Sequence, residues 1–189
     1  MTALPEPPGR LLTVDAYVAL GEDDRYRPEL QEGNLVMSPS PAPDHMIVMG
    51  KLFVQLDEQL PPGAQVIPDV DVDLELAPRG KPGFVRRPDL VVAHRVAVDR
   101  VRRNGGILRA CDVPVVIEIV SPGSQRIDHV IKRGEYADAG IPHYWDCRSR
   151  RSGDGWAAGH PARVVDSPSC DPPRFGRNFV TSAEATRFS

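Results

Sequence analysis

Cysteine is scarce in this chain, with Cys111, Cys147 and Cys170 alone in 189 residues. They form no C-x-x-C pair and no zinc-ligand spacing, and an odd number leaves one thiol over. A disulfide-stapled secreted scaffold and a zinc–cysteine module are therefore excluded. No apolar run approaches the ~20 residues that span a bilayer, and no signal-peptide pattern opens the chain. The expectation is a soluble protein of the reducing cytoplasm with no membrane partner. Basic charge is not in excess either: 23 Lys and Arg stand against 26 Asp and Glu. Contact with nucleic acid would have to come from a local patch. The G-x-x-x-x-G-K-[ST] pattern is missing, so Ser121-Pro122-Gly123-Ser124 reads as a turn with Ser124 as N-cap. His94, His143 and His160 lack ligand spacing.

Proline, by contrast, is abundant: 20 residues clustered between elements and towards the C-terminus. Residues 1–10 are proline-rich and expected to be flexible. Thr13 as N-cap and Gly21 as stop bracket a short helix. Tyr26–Gln31 and Asn34–Met37 suggest a hairpin turning at Glu32-Gly33, its first strand restricted to an edge by Pro28. Ile47, Leu52, Phe53, Leu56 and Leu60 recur at helical spacing over Asp44–Leu60. Strands are expected at Ala64–Pro68 and at Val70–Leu76, where apolar residues alternate with Asp71, Asp73 and Glu75 as a solvated face. Residues 78–87 read as a polar loop and 95–109 as an arginine-rich connection. Leu90–Ala93 and Val115–Val120 are continuous apolar runs, as in strands covered on both faces. A helix over Gln125–Ala139 and a strand over Pro142–Asp146 complete one α/β (α+β) domain, residues 11–146. Residues 147–189 carry seven arginines and four acids with no period of either kind, a composition expected to be disordered.

One carboxylate stands at the start of an apolar run and a second inside another. Asp89 stands in Arg87-Pro88-Asp89-Leu90-Val91-Val92 and Glu118 in Val115-Val116-Ile117-Glu118-Ile119-Val120. A charge in such surroundings is costly unless a cation or hydrogen bonds meet it. Two of them converging at neighbouring strand ends would suit a hard divalent cation with oxygen ligands. Asp128, Lys132 and Tyr136 are four apart and stack along one helix face, from which a lysine could reach the carboxylates. Each position also has a structural alternative: a strand-start aspartate, a buried ion pair around Glu118, a solvated Lys132, a core Tyr136. His45 near a helix start caps or packs, and His129 faces solvent.

The order Glu29-Leu30-Gln31-Glu32-Gly33, Met37-Ser38-Pro39-Ser40-Pro41, His45, Pro88-Asp89-Leu90-Val91-Val92, Glu118-Ile119-Val120-Ser121-Pro122-Gly123-Ser124, Asp128, Lys132, Tyr136, Ala139-Gly140-Ile141 and Tyr144-Trp145 resembles the Uma2-type family of restriction-endonuclease-like proteins. That family lies within the PD-(D/E)xK nuclease superfamily. The resemblance covers roughly residues 11–146. It implies a restriction-endonuclease-like mixed sheet flanked by helices, and a Mg²⁺- or Mn²⁺-dependent endonuclease acting on DNA. By the same resemblance Asp89 and Glu118 are metal ligands, joined by Glu29. Lys132, on the following helix, replaces the motif lysine whose place Val120 takes, and Tyr136 holds Lys132 or contacts a phosphate. A homodimer is compatible with this reading.

Two other readings remain open. Family members continue past the Tyr-Trp strand with further strand and helix, whereas here Cys147-Arg148-Ser149-Arg150-Arg151 follows. A frameshift or lost C-terminus would leave a catalytically inactive remnant of the same fold, acting as a binding module. A small carboxylate–lysine hydrolase unrelated to DNA would instead need a closed apolar pocket.

Overall fold

The structure is a computed structural model describing residues 11–21, 28–37, 41–120, 126–148 and 162–163. Helix α1 (Val14–Ala19) starts at Thr13, whose hydroxyl accepts the Ala16 amide at 3.1 Å. Strands β1 (Pro28–Gln31) and β2 (Asn34–Met37) form the expected hairpin, with Gln31 opposite Asn34. Glu32 and Gly33 both take positive φ, 50° and 79°, the two-residue turn that matches strand twist. The first strand is not an edge, because Leu30 also pairs with Val85. Pro28 is tolerated as the first residue of the strand, outside that second pairing.

Helix α2 (Pro43–Gln59) buries Val48 and Leu52, while Ile47 is 55% exposed. Leu52, Phe53, Leu56 and Leu60 pack on the core as expected, while Val48 takes the inward place expected of Ile47, and His45 lies on the same side, half-buried. Strand β3 (Ala64–Pro68) is as expected. The alternating segment after it pairs only at β4 (Val72–Asp73), and Glu75 turns the chain with φ 54°. Its acids are not all solvated: Asp71 accepts two bonds from the Arg87 guanidinium, at 2.7 and 2.9 Å, and one from Tyr17 at 3.1 Å. Within the supposed polar loop, β5 (Val85–Arg86) is buried. After β6 (Leu90–His94), the arginine-rich connection is a helix, α3 (Arg95–Asn104), followed by β7 (Leu108–Arg109). Arg100 from that helix binds both oxygens of Asp112, at 3.0 and 2.6 Å.

Strand β8 (Val115–Val120), helix α4 (Arg126–Asp138) and strand β9 (His143–Arg148) form a parallel crossover unit. The strand runs through Cys147 and Arg148, two residues beyond its expected end, and β10 (Ala162–Arg163) pairs with its start. Secondary structure therefore does not stop at Asp146. Residues 1–10, the turn expected at 121–124 and the other residues from 149 to 189 lie outside the described ones.

Among the described residues the strands make two five-stranded mixed sheets, β2-β1-β5-β4-β7 and β10-β9-β8-β6-β3. In the second, Leu90, Val92, Val115, Ile117 and Ile119 face Val48 and Leu52 of α2. The alternate residues Val91, Ala93 and Val116 face α3 and Tyr136 of α4. Both faces are covered, which explains the unbroken apolar runs. No described helix is long and apolar enough to cross a membrane.

Candidate active site

Strands β6 and β8 are antiparallel, with Leu90 opposite Ile117 and Val91 opposite Val116. One step outward, that register sets Asp89 against Glu118, and period-two alternation puts both on the Val91 and Val116 side. Directly opposed residues of this kind have Cβ atoms about 4.5–5.5 Å apart. Beyond Glu118 the strands part, and Asp89 Oδ2 takes the Ile119 amide at 2.6 Å in place of a backbone carbonyl. Its other oxygen meets His45 Nε2 at 2.8 Å. The Asp89 side chain keeps 21% of its surface open, whereas Glu118 is buried. The pair therefore occupies the sheet's rim, one acid towards solvent and one behind it.

Helix α4 supplies the cation. Lys132 and Tyr136 are both buried on its inner face, as their spacing requires. The Lys132 ammonium donates to Glu29 Oε1 at 3.0 Å and lies 3.6 Å from Glu118 Oε1. The Tyr136 hydroxyl donates to the same Glu118 oxygen at 2.7 Å. Side chains at 126–129 lie outside the described residues, including those of Asp128 and His129.

Glu29 enters from β1 and is held from three sides. Besides Lys132, its carboxylate accepts the Arg86 guanidinium at 2.9 Å and the Arg87 amide at 3.1 Å. Arg86 also grips both oxygens of Glu135 on α4, at 2.6 and 2.8 Å. Buried carboxylates here are thus compensated by cations and hydrogen bonds, as burial demands.

Burial pushes the Glu118 carboxyl up to about 7; Asp89 and Glu29 add to this, while Lys132 and Tyr136 oppose it. The Asp89 hydrogen bond raises His45 against the opposing effect of burial. Burial, with Glu118 beside it, holds the Tyr136 hydroxyl well above its ordinary value, so it serves as a donor. Because Glu118 titrates higher in the folded chain than in the unfolded one, its contribution to stability is complete below about pH 4.5. That contribution is lost as pH rises through about 7. Metal-free wild type is expected to lose about 1–3 kcal/mol relative to Glu118→Gln between pH 5 and pH 8. Urea denaturation in EDTA at the two pH values measures this, and a difference that does not move with pH would contradict it.

Among the described residues no three His, Cys, Asp or Glu side chains form a ready-made metal cage. The donor set nevertheless fits one hard cation. Mg²⁺ commonly takes only one or two carboxylates and completes its shell with water and substrate oxygens. Two acids held against each other, one of them short of solvation, are a site that a divalent charge would relieve. Glu29, engaged by Arg86 and Lys132, is placed to steer the lysine.

Three residues of this constellation carry little sequence signal. His45 lies on an amphipathic helix where a packing role is equally consistent, although its position on the inner stripe with Val48 and Leu52 points inward. Arg86 belongs to a two-residue strand, too short for any period to show. Glu135 precedes Tyr136 on a helix face that alone reads as solvated.

Residues 14–152 match the Uma2 family, which bears the description "Putative restriction endonuclease". No curated protein matches the chain. A solved structure entitled "Crystal structure of a putative nuclease belonging to DUF820 from Anabaena variabilis ATCC 29413" shares the fold with a TM-score of 0.57. It is 18% identical, and the match covers 72% of this chain and 74% of that one. With the family match spanning most of the chain and the fold shared with that structure, the protein belongs to the Uma2 family.

Proposed function

We propose that this protein is a metal-dependent endonuclease that hydrolyses DNA phosphodiester bonds, using Mg²⁺ or Mn²⁺. The observation that carries the reading is the junction at the rim of β6 and β8, where Asp89 binds the amide next to Glu118 at 2.6 Å and the Lys132 ammonium lies 3.6 Å from Glu118. Asp89 and Glu118 would hold the cation. When bound, a divalent ion there polarises the phosphoryl oxygen and makes the attacking water more acidic. Lys132 presents a preorganised positive charge to the oxygens on which charge develops. Tyr136 fixes the Glu118 carboxylate through its hydroxyl, and His45 together with the Ile119 amide fixes that of Asp89. The partly open face of Asp89 suits a large substrate better than a closed pocket would. DNA as the substrate is supported by the family's description.

A second reading is a non-catalytic member of the fold that binds without cutting. The engagement of Glu29 by Arg86 and Lys132 favours it, since one of the three expected ligand carboxylates already has two cations as partners. Purified protein and supercoiled plasmid, with Mg²⁺, Mn²⁺ or EDTA, separate the two. Nicking that requires the cation is expected. Folded protein that never nicks would leave the binding module.

A further inference from the structure

A lysine side chain is long enough to leave a carboxylate site for solvent, and nothing in its own stem prevents this. Lys132 is constrained from two elements away. Arg86 on β5 is 1% exposed and divides one guanidinium between two acids. Nη1 donates to Glu29 Oε2 at 2.9 Å, while Nε and Nη2 donate to Glu135 at 2.6 and 2.8 Å. Glu29 offers its other oxygen to Lys132 Nζ at 3.0 Å. Glu135 follows Lys132 by three positions on α4 and so lies one turn along the same face. The guanidinium therefore grips both the carboxylate that Lys132 leans on and the helix that carries Lys132. A planar fork grips Glu135 with two parallel bonds while donating to Glu29; an ammonium at position 86 would be a point charge without that bidentate hold.

We propose that Arg86 is a positioning residue: acting through Glu29 and Glu135, it holds the Lys132 ammonium at the Glu118 carboxylate without touching substrate. The catalytic consequence rests on the nuclease reading, whereas the positioning itself does not. The competing role is a neutralising ion pair with no bearing on where Lys132 points.

The chain contains three lysines, and Lys51 and Lys81 are exposed, so trace acetylation with peptide mass spectrometry reads Lys132 against internal standards. In folded wild type at pH 8, Lys132 is expected to react about 10-fold or more slowly than Lys51 and Lys81. Glu135→Gln releases the helix while sparing the Arg86–Glu29 pair, and should raise Lys132 reactivity about 3- to 10-fold. Arg86→Gln should raise it further, where that variant folds. In either variant Lys51 and Lys81 stay unchanged. Unchanged Lys132 protection in folded Glu135→Gln overturns the proposal. In plasmid nicking with Mg²⁺, Glu135→Gln should lower kcat about 10-fold with KM unaltered, since small misplacements are costly in catalysis. In a Lys132→Ala background it should have no further effect. Equal losses in both backgrounds would also overturn the proposal. If wild type fails to nick, the nuclease reading falls, and acetylation alone decides the positioning.

Discussion

Alanine at Asp89 is expected to abolish cation-dependent nicking, lowering kcat by about 10³-fold or more. A ligand carboxylate supports several kcal/mol of charge stabilisation in such a site, and each ~1.4 kcal/mol is a factor of ten. The substitution also frees the Ile119 amide and His45, which both bond to Asp89. Lys132→Ala should cost less, about 10²–10³-fold, the usual loss on removing one preorganised donor. Lys132→Arg should not restore the rate, because a bulky fork replaces a compact charge between Glu29 and Glu118. Single-turnover plasmid nicking at saturating Mg²⁺ is the measurement, with circular dichroism to establish folding. An Asp89→Ala protein that nicks at the wild-type rate would remove the carboxylate pair as the active site.

Arg86→Met is the substitution expected to damage stability most. Methionine keeps much of the stem's volume but removes the guanidinium that grips Glu135 and, among the described residues, one of the two side-chain cations on Glu29, in a site where Arg86 is 1% exposed. Leaving buried charge uncompensated costs about 3–5 kcal/mol, a large part of the 5–15 kcal/mol typical of a whole domain. Adding Glu29→Gln and Glu135→Gln to Arg86→Met should recover much of that loss, because the penalty lies in the unpaired charge. Urea denaturation at pH 7 gives both values. A loss below about 1 kcal/mol for Arg86→Met would mean that water already screens these acids.

The parts of this fold that could be read along the chain are those whose pattern is local. The hairpin at Glu32-Gly33, helix α2, and the doubly covered strands β6 and β8 each declare themselves by turn residues or period. Asp89 and Glu118 were legible for a related reason: one opens an apolar run and the other breaks one, and a charge so placed requires a partner. Where elements are short or their pairing is distant, the pattern misleads. Arg86 and Arg87 sit in a stretch that reads as a polar loop, yet one is buried against Glu29 and Glu135 and the other pairs with Asp71. On α2, that Val48 and not Ile47 faces inward depended on the packing of Leu90, Val92 and Val115 beneath it.

The amino-acid order alone determined that an α/β core exists, that its central strands are buried on both sides, and that two acids lie at their ends. Only the tertiary structure decided who meets those acids. The antiparallel register sets Asp89 opposite Glu118, α2 brings His45 to Asp89, and Arg86 draws Glu29 and α4 together so that Lys132 stands between two carboxylates. Periodicity along a chain reports which side of an element is apolar. Compensation of the charges on Glu29, Asp89 and Glu118 is settled between residues 14 to 103 positions apart, where no local pattern can reach.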